Sequence, residues 1–230
     1  MVKHLNRLLA ALSADDLALL ELGFEKVDLE RRYVLETPNK AVDNVYFMET
    51  GVASVVAVNG RGERIEVGLI GCEGMSGVTV VMGNHRSPHS TYMQIGGTAL
   101  CISAADLRTA MSQSPSLQRL LLHFAQIFMT QAAQTAVANG RAKLDERLAR
   151  WLLMAHDRVS DDEVQLTHEF LSVMLGVRRA SVTTALDALK KRGLIEVRRG
   201  GITVLDRDAI EKIAGSFYGV PEAEFRRLIG

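Results

Sequence analysis

Apolar and polar residues alternate with two different periods along this chain, and the change of period predicts its elements. In residues 5–22 leucines recur at helical spacing, and Ser13 with Asp16 three residues later is typical of a helix N-cap. Residues 24–102 instead contain short runs of β-branched and aromatic residues, separated by turn sequences. We therefore expect a helical N-terminus followed by an antiparallel sandwich or barrel.

A long helix is predicted for residues 115–139, where leucine and phenylalanine recur at helical spacing. The same stripe then becomes small and polar at Gln131, Ala132 and Thr135. A helix face that combines apolar with small and polar residues favours packing against a second copy of the chain or against a ligand. The alternative is an ordinary core helix. Gly140 predicts the end of the helix, and we place a domain boundary there.

Two short helices joined by a glycine are predicted in the last third of the chain. An amphipathic helix over residues 144–155 and a loop at 160–163 precede them. Thr167 can cap the first short helix, Gly176 can form the tight turn, and the second helix begins near Arg178. This arrangement is a helix-turn-helix, whose second helix enters the major groove of DNA.

The outer face of that second helix is predicted to carry hydrogen-bonding side chains, with no carboxylate in its first two turns: Arg178, Arg179, Ser181, Thr183 and Thr184. Residues 193–205 indicate a β-hairpin turned at 200–201, with Arg198 and Arg199 at its tip. Residues 167–201 carry seven basic and three acidic side chains, a local charge of +4, in a chain whose 27 basic and 27 acidic residues cancel. A winged, positively charged DNA-binding face is the prediction, and a solvated surface that binds protein is the alternative.

The two cysteines and the N-terminal sequence set limits on chemistry and compartment. Cys72 and Cys101 lack the spacing and number of ligands for a zinc finger or a cysteine-ligated iron–sulfur cluster, so core thiols are the simplest interpretation. Polar and acidic residues interrupt the first twenty positions, and no apolar run approaches the length of a membrane span. We expect a cytoplasmic protein without a membrane segment.

Four stretches resemble, in order, the CRP/FNR-type transcription regulators: LLAALSADDLALL, NVYFMETGVASVV, LDERLARWLL and LTHEFLSVMLGVRRASVTTALDALKKRGLI. The resemblance implies an α+β fold with an N-terminal antiparallel β-roll or jelly roll and flanking helices, a long dimerisation helix and a C-terminal winged helix-turn-helix. The implied domains are a cyclic-nucleotide-binding-like sensor at 1–113, the dimerisation helix at 114–139 and the DNA-binding domain at 140–230. The implied partners are a second copy, a palindromic DNA operator and RNA polymerase.

The resemblance also assigns roles to the candidate DNA contacts. Where the catabolite activator branch presents Arg, Glu and a later Arg to the bases, this chain has Arg179, Ala180 and Thr184, so we expect a different operator. Arg179 is the candidate for a bidentate guanine contact. The remaining candidates are expected to position the protein on phosphates or to add affinity without sequence information: Thr167, Arg178, Ser181, Thr183, Thr184, Lys190 and Arg198.

A glycine-rich segment, residues 70–97, matches the region that holds the nucleotide in cyclic-nucleotide-binding members. The family glutamate that accepts the ribose hydroxyl aligns with Met75, and the family Arg-Ser pair aligns with His89 and Ser90. The nucleotide anchors are therefore missing or weakened, and we expect no response to cyclic AMP through them. The candidate effector residues are Gly74, Met75, Ser76, Arg86, His89 and Ser90, and no cofactor is assigned.

Several alternatives remain open at this stage. The loop could hold another small anion through Arg86, could hold no ligand at all, or could bind a metal through His85, His89 and Cys72; haem is not excluded by sequence. A metal-dependent enzyme on a cupin-like barrel, or a protein-binding module whose winged helix has lost DNA, are the competing functions. No catalytic constellation stands out, so we expect a regulator and not an enzyme.

Overall fold

Two antiparallel sheets form the first half of the chain, as the alternating residues predict. In a computed structural model, which describes residues 4–159 and 162–230, the seven strands are β1 (Glu25–Leu29), β2 (Val34–Glu36), β3 (Asn44–Met48), β4 (Val52–Val58), β5 (Arg64–Ile70), β6 (Ser90–Ile95) and β7 (Gly97–Ser103). One sheet has the order β1-β7-β3 and the other β2-β6-β4-β5. Apolar side chains from both sheets form a shared core, and the predicted β-roll is confirmed.

Short helices flank the roll, and one of them begins at the predicted cap Ser13. They are α1 (Arg7–Ala10), α2 (Ala14–Glu21), α3 (Val78–Val81) and α4 (Ala104–Gln113). The Ser13 hydroxyl accepts a hydrogen bond from the Asp16 amide at 3.1 Å, and Ser103 caps α4 in the same way. Each cap pairs an amide that would otherwise lack a partner in the first turn.

The long helix α5 spans Pro115–Arg141, so it extends beyond the end predicted at Gly140. A single glycine costs a helix only about 1 kcal/mol, and the Ala142 amide still bonds to the Ala138 carbonyl. Leu117, Leu121 and Phe124 are buried against the molecule's own core. The apolar part of the predicted stripe therefore packs inside the protomer, Ala132 and Thr135 are half-buried, and packing against a second copy or a ligand stays a prediction.

The last ninety residues form a winged helix-turn-helix followed by two more helices. The elements are α6 (Leu144–His156), β8 (Glu163–Val164), α7 (His168–Leu175), α8 (Arg179–Lys191), β9 (Ile195–Arg198), β10 (Gly201–Val204), α9 (Arg207–Ala214) and α10 (Val220–Leu228). Of the loop predicted at 160–163, residues 160–161 lie outside the described residues, and Glu163 belongs to β8. Gly201 starts β10 opposite Arg198, so the hairpin turn is Arg199-Gly200.

The two halves of the chain are packed against each other. One apolar cluster joins Val52, Val56 and Leu69 of the roll to the core of the C-terminal half. A second cluster joins Phe225 of α10 to α1, α4 and α5. None of the helices in the described part of the chain is long and apolar enough to cross a membrane.

Candidate nucleic-acid interface and sensor cavity

The helix-turn-helix is fixed by a cap, a left-handed turn and a small apolar core. The Thr167 hydroxyl accepts from the Phe170 amide at 3.3 Å, which starts α7. Gly176 ends α7 with a φ of 61°, a left-handed conformation that glycine adopts without strain. On α8, Val182, Leu186 and Leu189 are all buried, so the opposite face of this helix is left to solvent.

The free face of α8 carries most of the predicted DNA contacts. Arg178, Arg179 and Thr184 are exposed and Ser181 is half-buried, and the first turn contains no acidic residue. The Thr183 side chain instead contacts His168 Nδ1 at 3.0 Å, which holds α7 against α8. Exposed guanidinium groups beside the positive end of a helix dipole are suited to bind phosphates and guanine edges.

The wing and the end of α8 add further positive charge next to this face. Lys190 is exposed in the last turn of α8, and Arg199 is exposed in the hairpin turn. Arg198 forms an exposed ion pair with Glu196 at 3.0 Å. Such exposed pairs contribute at most about 1 kcal/mol, so a phosphate can compete for this arginine.

A cavity of about 520 Å³ lies between the four-stranded sheet, α3 and α5. Among the six residues predicted for an effector pocket, only His89 belongs to its lining. Met75 and Ser76 are fully buried in the core, and the Ser76 hydroxyl accepts from the Tyr46 amide at 3.1 Å. Gly74 packs under the ring of Phe124, whereas Arg86 is exposed. An effector role for these six residues stays a prediction.

The predicted effector residues do not include five polar residues of the cavity lining: Glu36, Thr79, Asn84, Ser87 and Thr91. Glu36 and Thr91 are neighbours across β2 and β6 and are 6% and 1% exposed. A carboxylate at the inward position of an apolar strand was the available signal, because a buried acid needs a specific reason. The resemblance directed attention to the loop instead.

Polar contacts that sequence reasoning also missed join the sensor half to the DNA-binding half. The Trp151 indole N–H donates to Glu66 Oε1 at 2.7 Å, and the Ser54 hydroxyl contacts the same carboxylate. Arg158 pairs with Glu73 at 2.7 Å, and both side chains are largely buried. Burial lowers the pKa of Arg158, but the negative charges of Glu73, Glu222 and Asp157 together raise it above its ordinary value. These pairs cross between the halves and fix their relative orientation.

The three-ligand metal site considered from the sequence is not found among the described residues. Within residues 4–159 and 162–230, no three His, Cys, Asp or Glu side chains come together as a metal site would require. Cys72 and Cys101 are both free thiols, and burial raises the pKa of each.

Comparisons with known proteins agree with this architecture. Residues 146–213 match the family model of the Crp-like helix-turn-helix domain. The global nitrogen regulator of Nostoc sp. is 23% identical over 186 residues, which is 76% of this chain and 82% of that protein.

Solved structures show the same fold at low sequence identity. FixK2 of Bradyrhizobium japonicum aligns with a TM-score of 0.73 at 16% identity, covering 84% of this chain and 98% of that one. A CRP-family transcriptional regulator of Thermus thermophilus aligns with a TM-score of 0.67 at 17% identity, covering 83% and 96%. The family-model match identifies residues 146–213 as a Crp-like helix-turn-helix domain, and the chain as a whole has a fold similar to that of the CRP-family regulator.

Proposed function

We propose that this chain is a dimeric, sequence-specific DNA-binding regulator of transcription. The observation that carries the proposal is the free face of α8, which presents Arg178 and Arg179 in a helix-turn-helix whose other face is buried. A recognition helix in this setting lies in the major groove, with residues near its N-terminus at the base edges. The Crp-like family match over the same residues supports it.

A dimer is supported by an uncharged, exposed stripe on α5, which we call the α5 seam. Its members are spaced alternately by four and three residues: Leu122, Gln126, Met129, Ala133, Ala136 and Gly140. Leu122 is 42% exposed and Met129 is 59% exposed. Apolar positions with this heptad spacing pack against a second helix, and small residues allow close approach. A two-fold dimer presents two α8 helices about 34 Å apart, which matches the half-site spacing of a palindromic operator. RNA polymerase is a further partner if the protein activates transcription.

Binding to DNA fragments at two salt concentrations tests the proposal. Because phosphate contacts release counterions, we expect affinity to fall steeply, by a factor of about 10³ or more, between about 50 and 200 mM salt. Fluorescence anisotropy with a pool of genomic fragments and then with a selected operator measures this. Affinity that hardly changes with salt, or no binding to any fragment, would contradict a DNA-binding function.

Two substitutions separate base reading from phosphate binding. Arg179→Ala should lower preference for the selected operator over random DNA by about 1–3 kcal/mol, because a bidentate guanine contact is lost. Lys190→Ala should weaken all sequences alike and reduce the salt slope by about one. Lys212→Ala, which removes an exposed cation from α9, is the matched control and should bind as wild type. Equal effects of Arg179→Ala and Lys190→Ala on preference would refute the assignment of roles.

A further inference from the structure

The cavity beside α5 has a lining that is poorly suited to an anion. No arginine or lysine belongs to its lining in the described chain, and Arg86, the nearest cation in sequence, is exposed elsewhere. Among the described residues, the only acidic side chain in the lining is Glu36, which is 6% exposed. A phosphate or carboxylate placed here would meet the like charge of Glu36, and among the described residues the lining offers only the imidazole of His89, with no arginine or lysine, to offset it.

Most of the lining is apolar. The apolar side chains come from the two strands β4 and β5, from α3 and its following turn, and from α5: Val55, Val67, Ile70, Val78, Met82, Phe128, Met129 and Ala132. A concave apolar surface of this volume, with a few polar groups, is the usual form of a site for a small organic molecule. The ligand must therefore bury mainly carbon.

Two of the polar groups in the lining, Glu36 and Thr91, lie side by side where β2 meets β6, and Thr79 belongs to α3. Glu36 and Thr91 are register partners, and Val55 of β4 is the next partner of Thr91. Glu36 Oε1 accepts from the Gly77 amide at 2.9 Å, which fixes the carboxylate. The hydroxyl oxygens of Thr91 and Thr79 are buried and have no hydrogen-bond partner among the described residues. Buried polar groups without partners are uncommon in folded proteins, so this end of the cavity has unused hydrogen-bonding capacity.

We propose that this cavity binds a largely apolar, uncharged or amine-bearing small molecule whose N–H or O–H donates to Glu36, and that it rejects phosphates and carboxylates. The proposal names the class of ligand that the protein binds. That this ligand regulates transcription rests on the proposed function. The proposal depends on Glu36, Thr79 and Thr91, and not on the loop residues that the family resemblance indicated.

A pair of matched fluorescent probes tests the ligand class. N-phenyl-1-naphthylamine is uncharged and has one N–H donor, and 8-anilinonaphthalene-1-sulfonate adds an anion to the same skeleton. Titrated into the full-length protein without DNA, the uncharged probe should bind saturably at one per protomer and at least about tenfold tighter than the sulfonate. Millimolar cyclic AMP should not displace it. Sulfonate binding in the cavity as tight as that of the amine, or no saturable binding of the amine, would overturn the proposal.

Variants place the probe in the cavity. Ala132→Phe fills the space from α5 and should abolish binding of the amine, whereas Ala105→Phe adds the same ring to the exposed face of α4 and should leave binding unchanged. For both probes, binding in the cavity is taken as the part of the fluorescence signal that Ala132→Phe removes. Binding of the sulfonate elsewhere on the protein surface is thereby excluded from the comparison. Binding retained in folded Ala132→Phe contradicts the proposed location.

A second variant tests the role of charge without altering volume. Glu36→Gln keeps an acceptor for the Gly77 amide, and it should narrow the preference for amine over sulfonate to within about threefold. If Ala132→Phe does not fold, Glu36→Gln alone tests the proposal. An unchanged preference for the amine over the sulfonate in Glu36→Gln would refute the role of Glu36. DNA binding is measured separately, so a protein that binds the amine and no DNA would refute the regulator and leave the ligand class standing.

Discussion

Glu66 is the residue with the most unusual environment in the molecule. It belongs to β5 and contacts Trp151 of α6, with only 4% of its surface exposed. Burial raises its pKa from 4.5 to about 7, although hydrogen bonds from Ser54 and Trp151 and nearby arginine charges act in the opposite direction. The hydrogen bonds agree with a protonated acid. The Ser54 hydroxyl has one proton but faces two acceptors, the Glu66 carboxylate and Gln94 Oε1. A proton on Glu66 lets the acid donate to Ser54 while Ser54 donates to Gln94. With the Gln94 amide turned so that its Nε2, which has no partner among the described residues, donates to Ser54, an ionised Glu66 is accommodated as well, so the pKa has to be tested.

The raised pKa predicts how stability changes with pH. Between pH 4.5 and about 7 the folded state binds more protons at Glu66 than the unfolded state, so this group's contribution is full below pH 4.5 and is lost as pH rises through 7. The shift corresponds to about 3 kcal/mol at most. Glu66→Gln mimics the protonated acid, since its amide can donate to Ser54 and accept from Trp151. Urea unfolding at pH 5 and pH 8 should show that the variant loses less stability than wild type on going to pH 8.

The control for this prediction is Glu25→Gln, which makes the same change at an exposed position of β1. It should leave the pH dependence as in wild type. If Glu66→Gln and wild type lose stability in parallel between the two pH values, the buried acid is ionised throughout and the assignment of its proton is wrong.

At the scale of elements, the predicted helix α5 packs part of its polar stripe inside the protomer. Its polar position Gln131 pairs with the backbone of Leu69, accepting from the amide and donating to the carbonyl. Leu69 lies on β5, the edge strand of its sheet, so this amide side chain satisfies backbone groups that a neighbouring strand would otherwise satisfy. Gly68 permits the close approach, because a Cβ there would lie 2.7 Å from the ring of Phe128.

The α5 seam on the opposite face carries the element-scale prediction. Ala133→Glu places like charges where two helices meet, and because Ala133 is exposed in the protomer, the fold should be unaffected. We expect a folded monomer by sedimentation velocity, with operator affinity reduced at least about tenfold because one half-site is lost. Thr109→Glu on the exposed face of α4 is the control. An Ala133→Glu variant that stays dimeric would exclude the seam as the dimer interface.

Local patterns predicted the winged helix well because its caps, its turn glycine and its apolar spacing all lie within a few residues of each other. Thr167, Gly176 and the buried stripe of α8 occupy the predicted positions. The cavity could not be predicted in the same way, because Glu36, Thr91 and Thr79 meet only through sheet pairing and packing. The strand β8 was missed for the same reason, since two residues acquire strand structure only by pairing with β10.

At the scale of the whole molecule, the C-terminal helix α10 ties the DNA-binding half to the sensor half. It follows α9 in sequence, but Phe225 is buried among Leu8, Leu117 and Leu121 of the other half. The Arg7 guanidinium lies 4.6 Å from the centre of the Phe225 ring. The division into domains at 113 and 139 stays a prediction, and α10 packs across it.

This arrangement predicts that a change in α10 is felt in the DNA-binding half. Phe225→Ala should remove about 3 kcal/mol of packing, since the ring is 6% exposed and the site cannot collapse fully. Because Arg150 Nε donates to the Phe217 carbonyl between α9 and α10, loosening α10 should also loosen this link to α6. Hydrogen exchange should therefore become faster in residues 207–230 and at the C-terminal end of α6. Val220→Ala, at a position 42% exposed on the same helix, should exchange as wild type. Faster exchange confined to residues 220–230 would mean that α10 covers the N-terminal half without restraining the winged helix. The orientation of α8 would then depend on the Trp151–Glu66 and Arg158–Glu73 contacts and on the shared apolar cluster.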